Sequence, residues 1–129
     1  MGQTTRYDIG QIGERATCEF YKKLGYSLVT MNYRKRIGEI DVIVKKNNLL
    51  VFVEVKSVSC ETFVSEEYRD RNPAENIHLK KQVRLRKTIA IFLEEYAPHN
   101  VSWRFDVAIV QVNTALKTAR VETLTDIIL

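Results

Sequence analysis

The chain has only two cysteines, Cys18 and Cys60, with no CxxC or Cys/His spacing around either. That excludes a disulfide framework and the common zinc motifs, so both are expected to be reduced structural thiols. Its two histidines, His78 and His99, lie in different segments without partners, and no Ser, Cys or His arrangement suggests a covalent nucleophile. No apolar run approaches the ~18 residues of a membrane span, and the polar start MGQTTRYDIGQ has no signal-peptide hydrophobic region. Met1-Gly2-Gln3-Thr4-Thr5-Arg6 has the outline of a myristoylation start, but no second membrane signal accompanies it. The expectation is a cytoplasmic protein without a membrane partner. Repeats and low-complexity tracts are absent too, and 129 residues suffice for one core but not two, which predicts a single domain over residues 1–129.

What is present is charge in an unusual place. The stretch Gly38 to Ser57, GEIDVIVKKNNLLVFVEVKS, has the pattern of two strands joined at Asn47-Asn48. Asn tolerates the positive φ that both central residues of a type I′ turn need. Leu49 to Val55 is a nearly unbroken apolar run, as a central strand covered on both faces requires. Pairing Lys46 with Leu49 then sets Ile43 opposite Phe52, Asp41 opposite Glu54 and Glu39 opposite Lys56. Side-chain alternation puts Glu39, Asp41, Glu54 and Lys56 on one face. Facing carboxylates repel, so something must neutralise them. A divalent cation on hard oxygen ligands would do so; the other solution is a solvated face with Glu39 paired to Lys56. The apolar Val51 to Val55 run favours the cation, because a buried unpaired carboxylate is costly.

The formal net charge is a modest +4, but it is distributed unevenly. Arg34, Lys35 and Arg36 precede the acidic strand, and Lys80, Lys81, Arg84, Arg86 and Lys87 crowd one later segment. Basic clusters beside an acidic, cation-type group suit a polyanion whose backbone must approach a metal. Either cluster alone would be ordinary solubilising charge.

Around that centre, Ile9, Ile12, Gly13, Ala16, Phe20 and Leu24 recur at helical spacing before Gly25, predicting a helix from about Asp8 to Leu24. Glu14 falls on the shoulder of its apolar stripe, able to reach a site at a sheet edge or to remain a surface acid. Tyr26 to Tyr33 is the first predicted strand. Val58 to Asn76 has no clean period and is expected to be a flap. Ile77 to Tyr96 is a second predicted helix with Leu79, Val83, Leu85, Ile89, Ala90, Phe92, Leu93 and Tyr96 in one arc. Gln82 and Arg86 sit inside that arc, and Gln82 either points at a site or serves a core hydrogen bond. Trp103 to Val112 is a fourth strand in which Asp106 shares a face with Arg104 as a salt-bridge partner. Val121 to Leu124 adds a short edge strand. The order α-β-β-β-α-β predicts an α/β (α+β) domain, a mixed sheet with a central hairpin flanked by helices.

The run Gly38-Glu39-Ile40-Asp41 followed by Glu54-Val55-Lys56 resembles the PD-(D/E)XK nuclease signature, with Ile40 in place of the proline. More narrowly, the chain is similar to the YraN family of predicted endonucleases, distantly related to archaeal Holliday junction resolvases. The likeness takes in Gly13-Glu14, Asn32-Tyr33-Arg34, Lys81-Gln82 and Arg104-Phe105-Asp106-Val107, and covers roughly residues 10 to 112. It implies a restriction-endonuclease-like core and a Mg2+- or Mn2+-dependent hydrolase acting on DNA. Asp41, Glu54 and the Val55 carbonyl would hold the metal, Lys56 would act on water and the phosphoryl group, and Glu14 would complete the site. Arg34, Lys35, Arg36, Lys80, Lys81, Gln82, Arg84 and Lys87 would bind nucleic acid. Related nucleases often pair, which makes a homodimer an expectation. The competing expectations are a non-catalytic nucleic-acid-binding module of the same fold and a purely structural partner protein.

Overall fold

The computed structural model describes residues 5–60, 79–96 and 100–129. Helix α1 runs Arg6–Lys23. It is started by a capping box in which the Thr5 hydroxyl accepts from the Asp8 amide at 3.1 Å while the Asp8 carboxylate accepts from the Thr5 amide at 3.0 Å. Five strands follow in chain order: β1 Ser27–Lys35, β2 Gly38–Lys46, β3 Leu49–Cys60, β4 Ser102–Asn113 and β5 Thr118–Leu124. Helix α2, Leu79–Tyr96, lies between β3 and β4 in sequence. None of the helices described is long and apolar enough to cross a membrane.

The strands form one sheet in the order β1-β2-β3-β4-β5, antiparallel throughout except for the parallel β3–β4 pair. This is the mixed sheet flanked by helices that the element order predicts. Each helix covers one face. Cys18 and Tyr21 of α1 pack with Val42, Val44, Val51, Val53 and Ala108. Leu85, Ile89 and Phe92 of α2 pack with Ile43, Leu50, Phe52, Phe105 and Val107 on the other side. Burial on both faces is why Leu49 to Val55 can be apolar without alternation.

Several local expectations are corrected. Strand β1 continues to Lys35, so Arg34 and Lys35 are strand residues rather than a connector. Val58 to Cys60, expected in the irregular flap, extend β3 because β4 offers parallel partners as far as Cys60↔Asn113. The rest of the predicted flap, together with His78 and His99, lies outside the described residues. At the hairpin only Asn47 takes positive φ, at 53°, so the turn is not the type I′ form.

The helices are also rotated relative to their hydrophobicity patterns. In α1 the buried positions are Gly13, Thr17, Cys18 and Tyr21, while Ile12 and Leu24 are exposed. Gly13 sets this orientation: a Cβ there would lie 1.7 Å from the Ser57 hydroxyl oxygen, so only glycine lets α1 sit this close to β3. Thr17 tolerates burial because its hydroxyl donates to the Gly13 carbonyl at 2.8 Å. In α2 the buried face is Leu85, Thr88, Ile89 and Phe92; Leu79 is 78% exposed, and Val83, Ala90 and Arg86 also face outward. Gly38 opens β2 directly beneath this helix, where a Cβ would meet the Thr88 hydroxyl at 2.7 Å.

Asp106 is fully buried and ties the layers together. It accepts from Arg104 Nε at 3.0 Å, as its place on the Arg104 face suggested, and also from the Tyr21 hydroxyl at 2.7 Å and the Asp126 amide at 3.0 Å. One carboxylate thus anchors α1, β4 and the segment after β5. Ile127 and Leu129 pack on the α2-side core.

Candidate active site

The hairpin keeps its predicted register from Lys46↔Leu49 through Ile43↔Phe52 to Val42↔Val53. Beyond that pair β2 and β3 part. Regular alternation would place Ile40, Val42 and Val44 on one face, yet Ile40 packs in the α2-side core while Val42 and Val44 pack under α1. The pleat therefore breaks at Asp41. The neighbouring strand bends at the same level: Asn32, between the pairs Met31↔Val42 and Tyr33↔Ile40, has φ 52°. Asn is among the few residues that adopt this conformation at low cost.

At the fork, the Val55 amide donates to Asp41 Oδ2 at 2.8 Å. The side chain takes a backbone donor left over where strand pairing stops. Asp41 and Glu54 are thus not a ladder pair, as the extrapolated register proposed, but they face each other across a gap in the sheet. Glu39 does not meet Lys56 either; it stands across from Arg34 in the β1–β2 ladder, with the guanidinium 3.5 Å away. Glu54 and Lys56 follow Leu50 and Phe52 onto the α2 side, where the Lys81 ammonium of α2 hydrogen-bonds the Glu54 carboxylate. Val55 and Ser57 turn to the α1 side beneath Gly13. Glu14, the next residue of α1, therefore reaches the fork from the other layer, beside Asn32.

The electrostatics follow from crowding acids into a poorly hydrated gap. Burial pushes the Asp41 carboxyl up to about 7, with Glu54 the next cause, against the pull of the Val55 amide. Glu14 is also raised, first by burial and then by Glu39 and Glu54, while the nearby Asn32 amide opposes the rise. The half-buried Lys56 ammonium is lowered by burial and by Lys81, with Glu54 opposing. Four carboxylates and two ammoniums thus sense one another.

Two open clefts flank this group. One, of about 470 Å3, is lined by Asp41, Glu54 and Lys81 with Arg34, Lys35, Arg36 and Arg84. The other, of about 460 Å3, lies on the α1 side and includes Glu14, Asn32, Arg6 and Tyr7, sharing Arg34 and Glu39 with the first. Of the predicted nucleic-acid contacts, Arg34, Lys35, Arg36, Lys81 and Arg84 converge on the first cleft. Lys35 is already engaged there, 3.0 Å from Glu95. Lys80 and Lys87 line a neighbouring groove with Ile37, Leu79 and Val83 instead. Gln82 is half-buried. Among the described residues no three acid, His or Cys side chains gather into a ready cluster for a metal. What the fork offers is the pair Asp41 and Glu54.

Sequence reasoning did not single out Asn32 as a site residue or the Lys81–Glu54 pair. Asn in the middle of a predicted strand was the available signal for the first, since Asn is poor in strands and good at positive φ. The second had none, because 27 residues separate its members.

The same stretch is what known proteins share with the chain. Residues 13–110, from Gly13 at the helix contact through β4, match the model of the uncharacterised protein family UPF0102. A UPF0102 protein of Caldicellulosiruptor saccharolyticus is 36% identical over 106 residues, which is 82% of this chain and 84% of that one. A UPF0102 protein of Clostridium botulinum is 37% identical over 108 residues, 83% of this chain and 82% of its own length. With the matched region containing Glu14, Asn32, Asp41, Glu54, Lys56 and Lys81, this chain belongs to the UPF0102 family.

Proposed function

We propose that the protein is a divalent-cation-dependent nuclease hydrolysing phosphodiester bonds of DNA, with Asp41 and Glu54 holding the cation and Lys56 acting at the phosphoryl group. One juxtaposition carries the reading. Two carboxylates, one of them pushed up to about 7, share the fork between β2 and β3 beside a half-buried ammonium. Such a group is unstable in charge terms without a cation and has no evident use in a structural protein.

The donors fit Mg2+ or Mn2+: two carboxylates and the Val55 carbonyl are hard oxygens, leaving room for water and phosphate oxygens. A divalent cation held there supplies the charge that polarises a phosphate and acidifies a bound water. The chain's own residues do the remainder. Lys56 shares the Glu54 side of β3 and is lowered by burial and by Lys81, so it can orient or deprotonate the attacking water and donate to a phosphoryl oxygen. Glu14, beside Asn32 in the α1-side cleft, bounds the site from that side. Arg34, Arg36 and Arg84 line the cleft above the acids, where a sugar-phosphate backbone would lie.

The kinship to PD-(D/E)XK nucleases and Holliday junction resolvases belongs to the same proposal, supported by a mixed sheet between two helices that is compatible with such a core. It makes branched DNA the first substrate to try. Purified protein should be incubated with four-way, flapped, linear and single-stranded DNA, each with Mg2+, Mn2+ or chelator. Cleavage that needs the cation and vanishes in Asp41→Ala supports the reading. Binding without cleavage under every condition transfers the assignment to a nucleic-acid-binding module.

A further inference from the structure

We propose that Lys81 is an exchangeable counter-ion: its ammonium neutralises Glu54 while no divalent cation is held, and moves to a substrate phosphate when one is. The inference rests on the metal-dependent reading above and deepens it by naming what couples cation binding to nucleic-acid binding.

Glu54 is only 7% exposed, and a carboxylate so far from water needs a compensating charge. The ammonium bonded to it comes from α2, across the sheet face. The two partners differ sharply in freedom. The Lys81 side chain is 48% exposed and projects from α2 on an unbranched four-carbon stem. Lysine is a compact charge with rotatable donors, so little holds it in one geometry. The same side chain lines the cleft that holds Asp41, Arg34, Arg36 and Arg84. Its ammonium therefore has two anionic stations within one cleft: the carboxylate it now occupies and a phosphate resting on the arginines.

A cation shared by Asp41 and Glu54 would bring a double positive charge against an ammonium bonded to one of the same carboxylates. That repulsion is largest where Lys81 now stands and falls as its stem rotates outward. Lys81 thus competes with the cation in the absence of substrate and ceases to compete when a phosphate receives it. Thermodynamic reciprocity then requires that cation and nucleic acid strengthen each other's binding by the same factor, and that part of the factor resides in Lys81. A site built this way holds its cation weakly until a backbone is in place.

The test is calorimetric titration of Mn2+ into the nucleic-acid-free wild type, Lys81→Met, Lys81→Arg and Asp41→Ala. It is joined to fluorescence anisotropy of a phosphorothioate duplex in chelator and in Mn2+. Lys81→Met, which keeps the stem and removes the charge, should bind Mn2+ roughly tenfold more tightly than wild type, while Lys81→Arg stays near wild type. In Lys81→Met the gain in duplex affinity on adding Mn2+ should shrink. Unchanged or weaker Mn2+ binding by Lys81→Met overturns the exchange and leaves a fixed structural ion pair, with the metal site itself intact. A wild type whose Mn2+ binding equals that of Asp41→Ala overturns the metal reading and the exchange with it. Should Lys81→Met not fold, Lys81→Gln carries the same expectation, and melting in chelator reports the fold of each variant.

Discussion

The most exacting perturbation is Asp41→Asn in the absence of metal, because its sign is opposite to that of most substitutions at a half-buried hydrogen-bonded residue. The carboxyl is raised from 3.8 to about 7, chiefly by burial and then by Glu54. A raised acid binds its proton more tightly folded than unfolded, so its stabilising contribution is complete below pH 3.8. That contribution is lost as pH climbs through about 7. At 1.36 kcal/mol per pKa unit, ionising Asp41 in the folded chain costs roughly 4 kcal/mol by pH 8, a large part of a small domain's stability. Asparagine keeps the shape and still offers an oxygen to the Val55 amide, yet carries no charge to ionise. In urea titrations with chelator, Asp41→Asn should match wild type below about pH 3.8 and exceed it by about 2 to 4 kcal/mol at pH 8. Saturating Mn2+ should restore the wild type at pH 8 and leave the variant unmoved. Parallel pH profiles for the two proteins, or a variant that is weaker at pH 8, would refute the account of a repelling acid pair.

Lys56→Ala should lose most metal-dependent cleavage while Mn2+ binding survives and duplex binding falls only modestly; cleavage at the wild-type rate removes Lys56 from the mechanism. Gly13→Ala should destabilise by about 1 to 3 kcal/mol because the new methyl meets Ser57, whereas Gly10→Ala, with nothing within 4 Å, should stabilise by about 0.5 to 1 kcal/mol. Thermal or urea melting of this pair tests whether α1 is held close to β3 at that one position. Tyr21→Phe removes a donor from the fully buried Asp106 and should cost about 1 to 3 kcal/mol with no change in duplex affinity. A neutral effect would mean Arg104 and the Asp126 amide suffice. Arg84→Ala should lower duplex affinity and the salt slope more than Lys87→Ala, since Arg84, unlike Lys87, lines the acidic cleft as well as the outer groove.

Local pattern was enough for the hairpin and its acids. Asn47-Asn48 between two apolar runs sets the Lys46↔Leu49 pairing, and from there the period of two holds as far as Val42↔Val53 and points the acids of both strands toward the same end of the hairpin. The two helices, the crossing to β4 and the Arg104–Asp106 pair were legible for the same reason: each depends on residues close in sequence or on a repeat along one element. What pattern did not contain was the place where the pattern stops. The fork at Asp41 exists because Asn32 bends β1 at the same level and the Val55 amide donates to a side chain in place of a strand. Glu14 reaches that fork only because Gly13 has no side chain to hold α1 away from Ser57. The hydrophobic arc of α2 pointed Arg86, Leu79 and Val83 inward, but its contact with the sheet is decided by Leu85, Thr88, Ile89 and Phe92 against β2 and β3. That choice turns Lys81 onto Glu54 and leaves Lys80 and Lys87 on the outer groove. Periodicity constrains which residues share a face, whereas the charge that compensates a buried carboxylate is chosen by whichever element packs above it, and that packing is settled by close approach between layers rather than along the chain.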